Sequence, residues 1–153
     1  MKNTFVKAER LKSKKTIAHL FSGGRSFAAY PLRLIYTSVP LDGVAKSIPV
    51  LFSMSVPKKN FKLAVTRNLL RRRIRETYRL RKSAFFSELS ESVSEIPQQY
   101  ALMFLYTGRE ILSYADIEIS MTKILKRFFY DAGLKQSNYA QKPKTSTTDR
   151  MPE

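Results

Sequence analysis

The residues best suited to chemistry in this sequence are arginines, which recur at helical spacing between Thr66 and Arg79. On a helical wheel, at about 100° per residue, an apolar stripe forms beside a cationic arc. The stripe contains Leu70, Ile74, Thr77 and Tyr78, and the arc contains Arg67, Asn68, Arg71, Arg72, Arg75 and Arg79. A guanidinium group can hold phosphate oxygens with two hydrogen bonds and can stack on an exposed base. The spacing therefore predicts a helix that packs on one side and binds a polyanion on the other.

Three alternative roles for this arginine-rich helix fit the sequence less well. A solvated helix face normally mixes charges of both signs at i,i+4 spacing, whereas Glu76 is the one carboxylate in the segment. A DNA-reading helix of the helix-turn-helix type follows another helix, and strands are predicted here instead. A membrane-surface helix needs large apolar residues on its outer face. Nucleic acid is the favoured partner, and a DNA-binding regulator stays open as an alternative.

Residues that could carry out hydrolysis are scarce. The chain has no cysteine and one histidine, His19, which excludes a thiol nucleophile, a zinc–thiolate site and a His-rich metal site. His19 lies off the apolar stripe of its predicted helix, so we expect it at the surface. Two-metal phosphodiester hydrolysis needs several acidic ligands, and the basic part of the chain offers Glu9, Asp42 and Glu76. We therefore expect no catalytic residue and no metal site on the protein.

The net charge is large and unevenly placed. The 153 residues carry 28 Lys and Arg against 12 Asp and Glu, a formal charge of +16. Within residues 1–82 the count is 20 against 3, so this part alone carries +17. Such a charge repels itself and is tolerated where a polyanion compensates it. The expected partner is nucleic acid, and an anionic membrane surface is the second candidate. The longest apolar run, Ala101–Tyr106, is too short to span a membrane, and we expect a cytoplasmic protein without a membrane partner.

The secondary-structure signals predict an α+β sandwich in a single domain, residues 1–135. Residues 1–12 are expected to form a basic arm that adds phosphate contacts, and residues 136–153 a disordered polar tail. Helices are predicted over residues 14–21 after the N-cap Ser13, over 66–81, and over 114–132 after the N-cap Ser113. Strands are predicted over residues 32–38, 48–56, 62–65 and 100–107, the last buried on both faces. Residues 83–99 fit either a helix tail or a loop.

Three motifs follow one another at characteristic spacing. The first begins with Arg10-Leu11-Lys12, continues through Ile17 and Phe21, and ends with Gly24-Arg25-Ser26-Phe27. The second is Ser55-Val56-Pro57-Lys58-Lys59. The third is Ala64-Val65-Thr66-Arg67-Asn68, directly before the arginine-rich helix. In this order the motifs resemble the protein subunit of bacterial ribonuclease P over residues 7–134. Leu69 departs from the family's Arg-Asn-Arg signature, and Ile17 stands where the family often has an aromatic residue.

The resemblance implies a fold and a mechanism. The fold is an α-β-β-β-α-β-α order with a left-handed βαβ crossover, similar to a ribosomal-protein domain. The catalytic machinery is an RNA subunit with Mg²⁺ held mainly by RNA rather than by a protein site. The protein binds that RNA and the 5′ leader of precursor tRNA, as a monomer in a 1:1 ribonucleoprotein, and the complex removes the leader by endonucleolytic cleavage. A ribosomal or RNA-chaperone type of binding module without catalysis is the alternative.

Two RNA-binding surfaces are expected on this basis. The arc Arg67, Asn68, Arg71, Arg72, Arg75 and Arg79 should face the catalytic RNA. A cleft between the first helix and an open face of the sheet should bind the leader through Phe21, Tyr36, Lys58, Lys59 and Ile17. Aromatic side chains stack on single-stranded bases of any sequence, as a subunit that meets many leaders requires. Phe21 and Tyr36 could equally be core residues, because both lie on apolar faces.

Overall fold

The structure, a computed structural model, describes residues 9–40, 50–92 and 98–134. Seven elements follow in order: α1 (Lys14–Gly23), β1 (Arg25–Ala29), β2 (Leu32–Pro40), β3 (Val50–Ser55), α2 (Ala64–Ser92), β4 (Gln98–Tyr106) and α3 (Tyr114–Asp131). The predicted α+β class and the α-β-β-β-α-β-α order are confirmed. Most of the basic arm, the turn at Asp42–Gly43 and the C-terminal tail lie outside the described residues.

The four strands form one mixed sheet in the order β1-β2-β4-β3. The β1–β2 and β2–β4 pairs are antiparallel, and the β3–β4 pair is parallel. Two adjacent parallel strands need a crossover connection, and α2 lies in that connection. The left hand of this crossover stays a prediction from the resemblance.

The sheet buries apolar residues on both faces. On one face Leu34, Phe52 and Phe104 pack with the apolar stripe of α2 and with α3 in the main core. On the other face Leu20 of α1 packs on Ala101 and Met103 of β4. The predicted burial of β4 on both sides is therefore confirmed, and the fold is a sandwich of α1, the sheet, and the α2–α3 layer.

Two serine caps set the starts of α1 and α3. Ser13 Oγ accepts a hydrogen bond from the backbone N–H of Thr16, and Ser113 Oγ accepts one from Asp116, each at 3.2 Å. Both bonds satisfy backbone donors that the first helical turn leaves without partners. At the end of α1, a Cβ on Gly24 would lie 2.5 Å from the carbonyl oxygen of Leu20, so the close turn into β1 needs glycine.

Two strand assignments differ from the prediction. The pattern missed β1, because an edge strand with one buried residue, Phe27, shows no apolar alternation. The strand predicted over residues 62–65 is wrong, since Ala64 already begins α2. The guanidinium of Arg67 donates to the carbonyls of Phe61 and Lys62 at 2.8 and 2.9 Å and holds this segment in a turn.

The helix α2 is longer than its basic part. It continues to Ser92, which places residues 83–92 of the ambiguous segment in the helix, while residues 93–97 lie outside the described part. Phe85 and Leu89 prolong the buried stripe, and the ring of Phe85 lies 5.4 Å from that of Phe129 in α3. This extension docks α2 on α3.

The segment before α1 is fixed by a buried ion pair. Lys82 Nζ of α2 donates to both carboxylate oxygens of Glu9, at 2.8 and 2.9 Å, and the two side chains are 4% and 10% exposed. Next to it, the backbone N–H of Leu11 donates to the carbonyl of Phe52 in β3 at 2.8 Å. Residues 9–11 therefore belong to the folded domain and not to a loose arm.

Removing one member of this pair should destabilise the fold strongly. In Lys82→Met, the Glu9 carboxylate stays buried without its cation, which should lower the free energy of unfolding by about 3–5 kcal/mol. The neighbouring Arg81–Glu118 pair is more than a third exposed, so Arg81→Met should cost about 1 kcal/mol or less. Urea denaturation followed by circular dichroism compares the two variants. Equal losses would show that the Glu9–Lys82 pair is no more important than a surface pair.

Candidate nucleic-acid interface

The outward side of α2 carries a cationic surface, as the helical wheel predicts. Leu70, Ile74, Thr77 and Tyr78 are all buried against the sheet, so the opposite arc faces outward. A shallow concavity of ≈ 530 Å³ follows this arc and is lined by Val65, Asn68, Leu69, Arg71, Arg72 and Arg75. We call Asn68, Arg71, Arg72 and Arg75 the arginine surface. It combines several guanidinium groups with apolar side chains, which suits a backbone of phosphates and sugars.

Two members of the predicted arc are bound to groups outside that arc. Arg67 holds the carbonyls before α2, as described above. Arg79 donates to both carboxylate oxygens of Glu76, from Nε at 3.1 Å and from Nη2 at 2.5 Å. These hydrogen bonds lower the pKa of Glu76, so the carboxylate stays charged and compensates Arg79. The arginine surface therefore lies between two arginines that also serve the fold.

Arg73, outside the predicted arc, has a structural position. Its Nη1 donates to the carbonyl of Leu112, in the connection between β4 and α3, at 2.5 Å. Arg71 remains on the surface, where its Nη1 donates to Asn68 Oδ1 at 3.1 Å. That bond uses one of five guanidinium N–H donors and keeps the two side chains together.

Tyr36 is not in the expected cleft, and this part of the prediction was wrong. It is 3% exposed and faces α3, where its ring lies 5.0 Å from that of Phe128 and its hydroxyl donates to Asp131 Oδ2 at 2.5 Å. Burial and the bond to Asp131 raise the pKa of Tyr36 well above its ordinary value. Because α1 packs on the opposite face of the sheet, Tyr36 and Phe21 do not share a surface.

One row of the sheet face beside α1 is exposed or half-buried, and we call it the open row. The strand register places Ala28, Arg33, Leu105 and Ser55 in one row across all four strands, adjacent to the row that α1 covers. Arg33 is half-buried and donates to Ser26 Oγ at 3.0 Å. Arg33 was not among the predicted site residues, although alternation with Leu32 and Leu34 places it on the face opposite the main core.

The remaining predicted leader residues lie on α1 and in the turn after β3. Phe21 is 58% exposed, and Ile17, one helical turn earlier, is half-buried against the smaller core. Lys58 and Lys59 are exposed in the turn that follows β3. The helix α1 thus lies on one side of the row. Lys58 and Lys59 follow the end of β3, and Arg33 belongs to the row itself.

The acidic residues of the described chain are dispersed. Glu9 binds Lys82 and Glu76 binds Arg79, while Asp42 lies outside the described residues. Within residues 9–40, 50–92 and 98–134, no three His, Asp or Glu side chains come together in a group suited to a metal ion. His19 is exposed on α1, as expected. In the same ranges no helix is both long and apolar enough to cross a membrane.

Comparisons with known proteins agree on one family. The family model described as Ribonuclease P matches residues 5–128. The chain is 36% identical over 122 residues to a ribonuclease P protein component from Porphyromonas gingivalis, covering 79% of this chain and 83% of that protein. It is 30% identical over 126 residues to the ribonuclease P protein component from Chlorobium phaeobacteroides, covering 80% of this chain and 86% of that protein.

Solved structures agree at the level of the fold. The RNase P protein from Staphylococcus aureus superposes with a TM-score of 0.56 at 22% identity, covering 80% of this chain and 96% of that one. The RNase P protein from Thermotoga maritima superposes with a TM-score of 0.57 at 18% identity, covering 77% of this chain and 96% of that one. At these sequence identities the structural similarity supports the assignment of the fold.

The placement of Tyr36 predicts a structural role for its hydroxyl. Tyr36→Phe should lower the free energy of unfolding by about 1–2 kcal/mol, because Asp131 loses a hydrogen bond while Arg25, 3.6 Å away, still faces it. RNA affinity, measured by filter binding, should not change. A loss of affinity with an unchanged urea midpoint would contradict this assignment and return Tyr36 to the RNA-binding residues.

Proposed function

Since the chain belongs to the ribonuclease P protein family, as the protein subunit of the endoribonuclease that processes the 5′ end of tRNA, we propose that two of its surfaces bind different RNAs. The arginine surface of α2 binds the RNA subunit of the enzyme. The open row beside α1 binds the 5′ leader of precursor tRNA. One protein binds one RNA subunit, in the cytoplasm.

The arginine surface is the observation that carries this proposal. Three arginines and Asn68 lie on one side of a helix whose other side is buried in the core, so their positions are fixed by the fold. Positively charged groups held in place bind phosphates without the entropic cost of ordering a flexible segment. The strip follows the helix axis and suits an RNA backbone better than a small anion.

The cleavage chemistry is expected on the RNA. When Mg²⁺ is bound in such a complex, it supplies a nucleophilic hydroxide and neutralises charge that develops on the phosphate. Among the described residues no group of three His, Asp or Glu side chains suits it, and Glu9 and Glu76 are each paired with a cation of the protein. We therefore assign the Mg²⁺ ions mainly to RNA and substrate phosphates, and to this chain the binding and orientation of both RNAs.

The leader site differs from the one expected from the sequence. Of the two aromatic residues predicted for it, Phe21 remains, with Ile17 beside it, because Tyr36 belongs to the core. Arg33 in the sheet and Lys58 and Lys59 beyond β3 supply the positive charge. Stacking and phosphate contacts of this kind tolerate any base, which fits a substrate set with varied leaders.

Replacement of the arginine surface should abolish assembly but not folding. The triple variant Arg71→Ala, Arg72→Ala, Arg75→Ala should fail to stimulate precursor tRNA cleavage by a bacterial ribonuclease P RNA at low Mg²⁺, where the unaltered protein stimulates it. Loss of three phosphate-binding groups should weaken RNA affinity by on the order of a hundredfold or more. Reconstituted cleavage assays and filter binding measure both effects.

A matched control comes from the same helix. Arg73→Ala removes one positive charge from α2 but breaks a bond to the carbonyl of Leu112, so it should lower the melting temperature and leave RNA affinity nearly unchanged. If the triple variant binds RNA as tightly as the unaltered protein, the arginine surface is not the RNA site. If the unaltered protein gives no stimulation, the proposed function is wrong.

Replacement of Phe21 should affect the leader alone. Phe21→Ala should reduce affinity for precursor tRNA about tenfold in the reconstituted complex, the effect of one lost base stack, without changing affinity for mature tRNA. Tyr130→Ala, which removes another exposed aromatic ring on α3, is the matched control and should change neither. An unchanged ratio of the two affinities in Phe21→Ala would exclude stacking of the leader on α1.

A further inference from the structure

A cavity lies at the outer edge of the sheet, where the chain before α1 runs beside β3. Arg10 forms a parallel bridge with Phe52 of that strand, and the Leu11 N–H donates to its carbonyl. Between this segment, β3 and α2 is a space of ≈ 280 Å³, which we call the edge pocket. Its lining includes Arg10 and Lys12 from the first segment, Ser53 from β3, and Arg71 and Arg75 from α2.

We propose that the edge pocket binds a phosphate group of an RNA backbone, together with its ribose, where the strand passes from the arginine surface to the open row beside α1. This inference rests on the proposed function and makes it more specific. It assigns to the protein a third RNA contact, formed by two segments that are far apart in the sequence.

The charges in the pocket favour an anion. Four cationic side chains line it, and among the described residues around it no carboxylate does. Glu9, the acidic residue closest in sequence, is bound to Lys82. Four positive charges around a small cavity repel one another, and a phosphate between them relieves that repulsion. Arginine can bind phosphate oxygens in a bidentate manner, so the side chains also suit the ligand in geometry.

The position of the pocket explains why the ligand should be an RNA strand and not a single ion. Successive residues of β3 face opposite sides of the sheet, so Phe52 faces the α2–α3 layer while Ser53 faces the side of α1. The pocket therefore joins the two sides around an edge strand. Arg71 and Arg75 belong to the pocket and to the arginine surface at once, which makes the two binding regions continuous.

The size and rigidity of the pocket fit one nucleotide backbone unit. Its volume is near the lower limit of ligand sites, about 300 Å³, which excludes a duplex. The ion pair at Glu9 and the backbone bond at Leu11 hold the segment that carries Arg10 and Lys12. Binding therefore does not have to order that part of the backbone, which favours affinity.

The test uses one variant that removes charge and one that fills space. Arg10→Gln should weaken affinity for the ribonuclease P RNA about tenfold and reduce the slope of log affinity against log salt by about 0.7–0.9. Ser53→Val keeps the charge but occupies the pocket with a residue that strands favour, and it should also weaken affinity several-fold. Lys123→Gln, an exposed charge on α3, is the matched control and should change affinity least.

A direct readout avoids the question of folding. Inorganic phosphate titrated into the full chain should shift the backbone amide resonances of Leu11 and Ser53 at lower concentration than those of α3. If Ser53→Val binds RNA normally, folds normally and shows the same phosphate shifts, the pocket is not a site. Normal binding by both pocket variants, with the α2 triple variant still defective, would overturn the edge pocket and leave the proposed function standing. Failure of the unaltered protein to bind the RNA would overturn both.

Discussion

The arrangement depends on the burial of β4 on both faces. Leu102 and Phe104 pack toward α2 and α3, while Ala101 and Met103 pack toward α1, so one strand supports both helical layers. Because β4 lies between β2 and a parallel β3, the chain must cross over the sheet in α2 to reach it. The crossover buries the apolar stripe of α2 and leaves its arginines on the outside. The position of the proposed RNA-binding surface thus follows from the crossover that brings the chain to the central strand.

The arginines of α2 show how the same side chain takes different roles. Arg67 and Arg73 reach backbone carbonyls of neighbouring connections, and their guanidinium groups stabilise the fold. Arg71, Arg72 and Arg75 face outward, where they line a concavity. The difference depends on which carbonyl groups lie within reach, and that is a property of the tertiary structure. A helical wheel gives the angular position of each arginine, but it does not show which carbonyl groups lie within reach of its guanidinium group.

The sequence predicted elements well where the signal is local and poorly where it depends on packing. Ser13 and Ser113 marked the starts of two helices, because an N-cap bond involves neighbouring residues. Alternation placed Tyr36 with Leu34 on one face, but it did not tell which face α1 covers, since both faces carry apolar residues. The strand predicted up to Val65 failed because Leu63 and Val65, which suggested an apolar alternation, are both exposed where α2 begins. The edge pocket had no sequence signal, because its two cationic segments are separated by about sixty residues.

The central position of β4 also matters during synthesis. A chain emerges from the ribosome with its N-terminus first, so the segment that carries the net positive charge is exposed before β4 exists. Of the residues that the structure describes, those that pair with β3 before β4 is made belong to the segment before α1, and the β1–β2 hairpin alone has marginal stability. An unfolded polycation binds any nearby RNA through counterion release, without regard to sequence. A fixed arrangement of the α2 arginines therefore requires β4, because the sheet that buries the other side of α2 is complete only when this strand is in place.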